Sequence, residues 1–350
     1  MKPFAERLLA WFDVYGRHDL PWQHPRDAYR VWISEVMLQQ TQVRTVIGYF
    51  QRFVSQLPDT QALAAASEDR VFGLWSGLGY YSRARNLRRA AQIVMAEHGG
   101  ALPRDIETLW SLPGIGRSTA AAILAQAHGL RHAILDGNVK RVLARHRGID
   151  GWPGNGKVQT TLWHEAERLT PHDRIDDYTQ AIMDLGATIC IRSRPCCSVC
   201  PVAEDCIARR EQRTAQLPQR KPAREIPTRA TMMLLLRDAK GRLLLQRRPP
   251  TGVWSGLWSF PEVADGAAVE SALREHGAMQ SRTLETFTHT FSHYRLQITP
   301  VLAEAVAPSQ MIADAPDHEW YGSDQWPALG LPAPVRRLLE THSSGNSDVA

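Results

Sequence analysis

The chain has 350 residues, more than one hydrophobic core serves at roughly 150 residues per domain, and a small disulfide-stapled fold is excluded. A content of 43% hydrophobic and 22% charged residues is that of a folded protein and not of a fibre or a disordered chain. Net charge is +5 and unevenly placed: residues 1–225 hold 30 Lys and Arg against 23 Asp and Glu, whereas 226–350 hold 11 against 13, a balance compatible with a polyanion such as DNA but shared by many enzymes.

The first residues, Met1 to Val14, carry Glu6, Arg7 and Asp13 and show neither an uninterrupted apolar core nor a small-residue cleavage site, so no secretory signal is read. The longest apolar runs, Thr119 to Ala127 and Met232 to Leu236, fall far short of the roughly 20 residues that span a bilayer. No membrane association is expected, and a cytoplasmic compartment with reduced thiols is. Helical signals then dominate to about residue 210. Asp27 can cap a helix through Tyr29, Trp32, Val36 and Met37, and Thr41 can cap a second through Val43, Val46, Ile47, Phe50 and Val54. Ala84 to Ala96, Thr119 to Ala127, Val139 to Ala144 and Thr161 to Leu169 continue the pattern. The turns between them contain Gly or Pro.

Three of these helical stretches carry chemistry. Trp32 to Thr41 places Glu35 amid mostly apolar neighbours, with Gln39 four residues on and on the same helix face. Desolvation there would raise the carboxyl pKa and make it a general acid near neutral pH. Leu112-Pro113-Gly114-Ile115-Gly116-Arg117-Ser118 puts two glycines in a tight turn before an Ala-rich helix, where unpaired N–H groups can meet an anion or the turn can merely join packed helices. In Leu135-Asp136-Gly137-Asn138-Val139 the aspartate is either a helix N-cap or the partner of Glu35 in a carboxylate pair of the kind that cleaves glycosidic bonds.

Four cysteines follow as Cys190-x6-Cys197-x2-Cys200-x5-Cys206, dense enough to enclose a metal group, with four-thiolate zinc one candidate. Cys196 stands beside the pattern with no assigned role. Arg192 and Arg194 in the same loop suit phosphate contacts and plain solvation equally. Residues 209–229 are polar and basic with Pro218, Pro222 and Pro227, which predicts an extended linker. Thr231 to Arg237 and Arg242 to Arg247 around Asp238-Ala239-Lys240-Gly241 predict a hairpin, and Thr286 to Glu304 is again β-rich. The predicted domains are therefore 1–208, mainly helical, and 230–342, a smaller α+β domain, with a disordered tail at 343–350.

Together Leu20-Pro21-Trp22, Trp32 to Thr41, Gly77 to Leu87, Leu112 to Gly116, Leu135 to Val139, the four cysteines and Thr288 to His293 resemble the adenine DNA glycosylases of the helix–hairpin–helix (endonuclease III) superfamily. The likeness extends over nearly the whole chain, and the motifs are specific jointly though not singly. It implies a helix–hairpin–helix glycosylase fold with an iron–sulfur loop holding a [4Fe-4S] cluster on Cys190, Cys197, Cys200 and Cys206. It further implies base excision repair by a monomer on double-stranded DNA, removing an everted adenine opposite 8-oxoguanine or guanine. In that reading Glu35 protonates adenine at N7, Asp136 stabilises the cationic sugar and Asn138 assists it. Leu20, Trp22 and Gln180 line the base pocket, Gln40 and Tyr80 enter the stack, and Gly114, Gly116 and Ser118 form the hairpin. Relatives that also cut the backbone carry lysine where Ser118 stands, so hydrolysis ending at an abasic site is expected.

The stretches Gly241 to Arg248 and Gly256 to Glu262 resemble a Nudix, or MutT-like, fold. Arg274-Glu275-His276-Gly277 lacks the glutamates with which such folds hold metal for pyrophosphate hydrolysis. The resemblance then implies an 8-oxoguanine reader using Phe291, Ser292 and His293.

Overall fold

The computed structural model describes residues 2–222, 225–291, 293–305 and 317–343. Ser292 and the tail beyond Ser343 lie outside the described residues. Packing divides the chain into two compact units: Met1–Ala65 with Asn86–Ala223, and Ala66–Arg85 with Arg224–Ala350.

In chain order the helices are α1 (Phe4–Tyr15), α2 (Ala28–Leu38), α3 (Val43–Gln56), α4 (Thr60–Ala65), α5 (Glu68–Trp75) and α6 (Ser82–Glu97). There follow α7 (Ile106–Ser111), α8 (Arg117–His128), α9 (Gly137–His146), α10 (Gly156–Leu169), α11 (Ile175–Asp184) and the short α12 (Ile207–Arg210). Capping explains several starts. Asp27 accepts from Arg30 N at 2.9 Å and Asp136 from Val139 N at 2.8 Å, each satisfying a donor that the first turn leaves open. Thr41 does not cap α3: its hydroxyl turns back to the Gln39 carbonyl at 3.5 Å, and Gln42 occupies the N-cap without a side-chain bond.

Helix α8 organises the first unit. Ala120 to Gln126 are all buried, and the run of alanines lets α2 and α11 pack directly on it. Leu8, Phe12, Val139, Leu143, Leu162, Tyr178 and Leu185 complete this core. The predicted linker is not extended at its start: residues 209 and 210 belong to α12 and turns follow, with Leu217 buried and its carbonyl accepting from Arg145 Nε at 2.8 Å.

The second unit is built on a mixed sheet. Its strands are β1 (Thr228–Arg237), β2 (Leu243–Arg247), β3 (Trp258–Ser259), β4 (Glu262–Val263), β5 (Ala278–Thr283), β6 (Phe287–Thr290), β7 (Arg295–Ala305) and β8 (His318–Tyr321), with helices α13 (Gly266–Glu275) and α14 (Ala333–His342). Strand order is β3-β2-β1-β7-β5, with β4 also on β1, β6 on β7 and β8 on β2. Strands β1 and β7 run parallel, and the predicted hairpin is the antiparallel pair β1–β2. Alternation along β1 sends Met233 and Leu235 to a core shared with Trp258, Phe260 and Leu339 of α14, and Leu234 and Leu236 to one shared with Val269 and Leu273 of α13. Burial on both faces accounts for the unbroken apolar run Met232 to Leu236.

Candidate active site

Glu35 lies on α2 and Asp136 is the N-cap of α9; both are half-buried in the first unit. Burial pushes the Glu35 carboxyl up to about 7, the negative charge of Asp136 pushes the same way, and a hydrogen bond from Gln126 opposes them. Gln126 Nε2 donates to Glu35 Oε1 at 3.2 Å. Burial raises Asp136 too, but the N–H groups of Val139 and Asn138 and the charges of Arg141 and Lys140 all favour its anion. Glu35 has one amide to stabilise its charge, whereas Asp136 has backbone donors, cations and a helix N-terminus. These groups favour charge on Asp136 more than on Glu35, and an Asp136 anion raises the Glu35 carboxyl in turn. One carboxylic acid and one carboxylate, held close enough to feel each other, can protonate a leaving group and stabilise a cationic centre.

The residues around this pair are less evident in the sequence. Gln39, expected on the face of Glu35, follows the last residue of α2 as its C-cap, and the amide that meets the carboxyl comes from α8 instead. Gln126 had one signal: it is the single amide in the run Ala120 to Ala127 and is 4% exposed. Ser118 Oγ accepts from Leu135 N at 2.9 Å, which fastens the hairpin helix to the residue before Asp136. Asn138 Oδ1 accepts from Arg141 Nη2 at 2.8 Å, and Arg141 also donates to the carbonyls of Gly186 (2.6 Å) and Cys190 (2.7 Å). Gly114 has φ +80°, and a Cβ there would stand 2.8 Å from Asn86 Cβ, so only glycine fits. Gly116 is the N-cap of α8, and a Cβ on it would meet nothing within 4 Å.

Leu20 and Trp22 are buried, the latter edge-on to Phe50 at 5.5 Å. Their segment is anchored where Gln180 is: Gln180 Nε2 donates to Asp184 Oδ1 at 2.7 Å, and the same carboxylate takes Arg17 Nε at 3.0 Å. Gln40 is exposed with φ 61°, just beyond α2.

Cys190, Cys196, Cys197, Cys200 and Cys206 line one common hollow beside α9. Burial pushes Cys200 up to about 12 and raises Cys197 and Cys206, and neighbouring thiols act in the same direction in each case. Thiols gathered in this way hold their protons against mutual repulsion unless a positive group neutralises them. Among the described residues no three His, Cys, Asp or Glu side chains are close enough to hold a single metal ion. Arg145, from α9, donates to the carbonyls of Ile191 (2.7 Å) and Arg192 (3.1 Å), fixing the first loop, while the Arg192 and Arg194 side chains are exposed.

Tyr80, Phe291 and His293 belong to the second unit. Tyr80 is 53% exposed with φ 50°. Arg83 is buried: it donates to the carbonyls of Leu78 and Gly79, both at 3.2 Å, and lies over the Tyr80 ring at 5.6 Å. Arg85 is likewise engaged within the protein, by Glu68 Oε1 at 2.9 Å and by the Ser255 carbonyl. Phe291 stacks on Tyr294 with 4.6 Å between centroids and leans on Trp254 at 5.4 Å.

Among the described residues no helix is long and apolar enough to cross a membrane. Residues 33–168 match the family described as HhH-GPD superfamily base excision DNA repair protein, and residues 232–341 match the NUDIX domain. A similar curated protein is the adenine DNA glycosylase of Buchnera aphidicola, 36% identical over 96% of this chain and 97% of its own length. The adenine DNA glycosylase of Homo sapiens is 35% identical over 97% of this chain and 74% of its own. Among solved structures a thermostable thymine-DNA glycosylase superposes with a TM-score of 0.54 at 27% identity, covering 59% of this chain and 95% of that one. An endonuclease III–DNA complex gives 0.51 at 20% identity over 59% and 94%, a likeness of fold.

Proposed function

The chain belongs to the adenine DNA glycosylase family, and from that membership and the Glu35–Asp136 pair we propose that it hydrolyses the N-glycosidic bond of adenine mispaired with 8-oxoguanine or guanine in duplex DNA, as a monomer and without cutting the backbone. The enzyme is a DNA N-glycosylase of base excision repair; the mispair, the residue roles and the single activity are the proposal. Its main support is the placing of two mutually interacting carboxyls in different surroundings, Glu35 taking an amide hydrogen bond and Asp136 a backbone N–H at the start of α9.

Adenine must leave the stack first, at a cost of a few kcal/mol that contacts to the duplex offset. The Glu35 proton goes to adenine N7 as the C1′–N9 bond breaks, so the base departs neutral. The Asp136 carboxylate faces the electron-poor sugar, water adds to C1′, and the proton that water sheds returns the site to its starting state. Asn138, held by Arg141, orients this carboxylate. Leu20, Trp22 and Gln180 enclose the base, Gln40 and Tyr80 fill the stack, and Gly114 and Gly116 bring backbone N–H groups to phosphate. Ser118 offers no amine for a Schiff base, and its hydroxyl is engaged by Leu135 N. The C-terminal domain reads 8-oxoguanine through Phe291, Ser292 and His293. In single-turnover assays adenine opposite 8-oxoguanine and guanine should be excised faster than adenine opposite cytosine or thymine. Borohydride should trap no covalent complex; efficient trapping through an enzyme amine would overturn the single activity.

Cys190, Cys197, Cys200 and Cys206 suit a [4Fe-4S] cluster, since four thiols from one short stretch line the same hollow and four thiolates are the ligand set of such a cluster. When bound, the cluster would bond the four thiolates and brace the loop that Arg145 holds to α9. The purified protein should contain iron and acid-labile sulfide, and Cys200→Ser should lower both together with the melting temperature. Stoichiometric zinc without sulfide would reject the assignment.

A further inference from the structure

Residues Ala66–Arg85 interrupt the helical unit in sequence yet pack with the C-terminal unit. The exposed Tyr80 ends a turn in which Gly77 and Gly79 also have positive φ. Trp75 Nε1 donates to the Gly79 carbonyl at 3.1 Å, and Arg83 holds the same carbonyl, so the turn is clamped from both sides. Two residues on, Arg85 joins Glu68 to the backbone of the other segment: its Nε meets Glu68 Oε1 and its Nη2 donates to the Ser255 carbonyl. Charge-assisted hydrogen bonds of this kind are about twice as strong as neutral ones.

The receiving loop is shaped for this contact. Ser255 is 9% exposed, and its hydroxyl donates to the Pro250 carbonyl at 2.6 Å. Gly256 has φ +70°, and a Cβ there would stand 3.0 Å from Arg85 Nη2. Next to Ser255, Trp254 adopts φ 56°, and its indole meets His289 at 5.7 Å and Phe291 at 5.4 Å. His289 and Phe291 are edge to face at 4.6 Å. A continuous chain of bonds and ring contacts thus runs from the Tyr80 turn through Arg85, Ser255 and Trp254 to Phe291.

We propose that Arg85 is a positioning residue that couples the Tyr80 turn to the Trp254–Phe291 ring cluster, so that both read the base opposite adenine as one element. The inference rests on the reading above that Tyr80 and the Phe291 loop meet the duplex. A chain of contacts establishes coupling only when perturbing one end alters the other, so the test is a double-mutant cycle.

Single-turnover excision would be measured on duplexes with adenine opposite 8-oxoguanine or guanine for the full-length protein, Arg85→Gln, Phe291→Ala and the double variant, each well below its melting temperature. Arg85→Gln should lower the 8-oxoguanine preference at least about fivefold, Phe291→Ala should lower it comparably, and the double variant should lose no more than the worse single. A preference that Phe291→Ala lowers and Arg85→Gln leaves intact makes Arg85 a structural staple and overturns the coupling. Losses that multiply in the double variant also overturn it. If Phe291→Ala itself keeps the preference, the reading of the loop fails and the inference with it. Should Arg85→Gln not fold, Trp254→Ala replaces it: a lowered preference that does not add to Phe291→Ala supports the coupling, and an intact preference overturns it.

Discussion

Glu35→Gln should slow adenine excision under single-turnover conditions by roughly 10²- to 10⁴-fold, the usual contribution of a general acid, while duplex affinity stays near that of the parent. Glutamine keeps the shape and an oxygen that can still accept from Gln126 Nε2, so the substitution removes the proton and little else. The pH profile makes the test specific. In the proposed mechanism protonated Glu35 is the active form, and its pKa is raised to about 7; the rate should be level on the acid side and fall about tenfold per pH unit above that value. The Glu35→Gln enzyme, slow throughout, should lose this basic limb. Because the folded carboxyl binds its proton more tightly than the unfolded one, folding stability declines as pH rises from the ordinary glutamate range through about 7. Glu35→Gln should therefore gain in melting temperature relative to the parent above neutrality and not at pH 4. A near-parental single-turnover rate would remove Glu35 from the chemistry.

The two carboxylates were legible in the sequence for different reasons. Glu35 stood out because apolar neighbours surround it on one helix, and that local fact already determines the direction of its pKa. Asp136, taken alone, read first as a helix cap, and the structure has it cap α9 while its charge also acts on Glu35. What sequence could not supply was contact at long separation. Gln126 lies 91 positions from Glu35, and only the packing of α8 on α2 brings them together. The bond between Ser118 and Leu135 is of the same kind, made by the return of the chain after α8.

Charge likewise misleads when read residue by residue. Arg83 and Arg85 follow an exposed tyrosine and look like phosphate ligands, but the carbonyls left open by a turn rich in positive φ claim one, and Glu68 with Ser255 claims the other. The grouping of Ala66–Arg85 with the C-terminal unit had no local signal, since helical periodicity is the same whichever unit buries the apolar face. It also changes experimental design. Removing residues 226–350 would strip Phe72 and Tyr81 of Gly330 and Leu331, their neighbours in the same unit, so point substitutions test 8-oxoguanine recognition more cleanly than truncation.

Asp136→Asn should separate the two duties of that residue. Asparagine caps helices as well as aspartate does, so the bond to Val139 N at 2.8 Å should persist and α9 should keep its start. The loss is then that of the anion which the proposed mechanism sets against the sugar cation, worth roughly 10²- to 10³-fold in rate if it resembles other preorganised electrostatic groups. Asp136→Ala should lose at least as much activity and, in addition, about 1 kcal/mol of stability with the cap. A second consequence follows from the charge itself. The Asp136 anion raises Glu35, so in Asp136→Asn the Glu35 carboxyl gives up its proton more readily, and the basic limb of the residual rate should move to lower pH. Single-turnover profiles of the parent and Asp136→Asn, matched in ionic strength, measure that displacement directly. A limb that stays where the parent has it would mean that burial alone keeps Glu35 protonated and that the two carboxyls act independently.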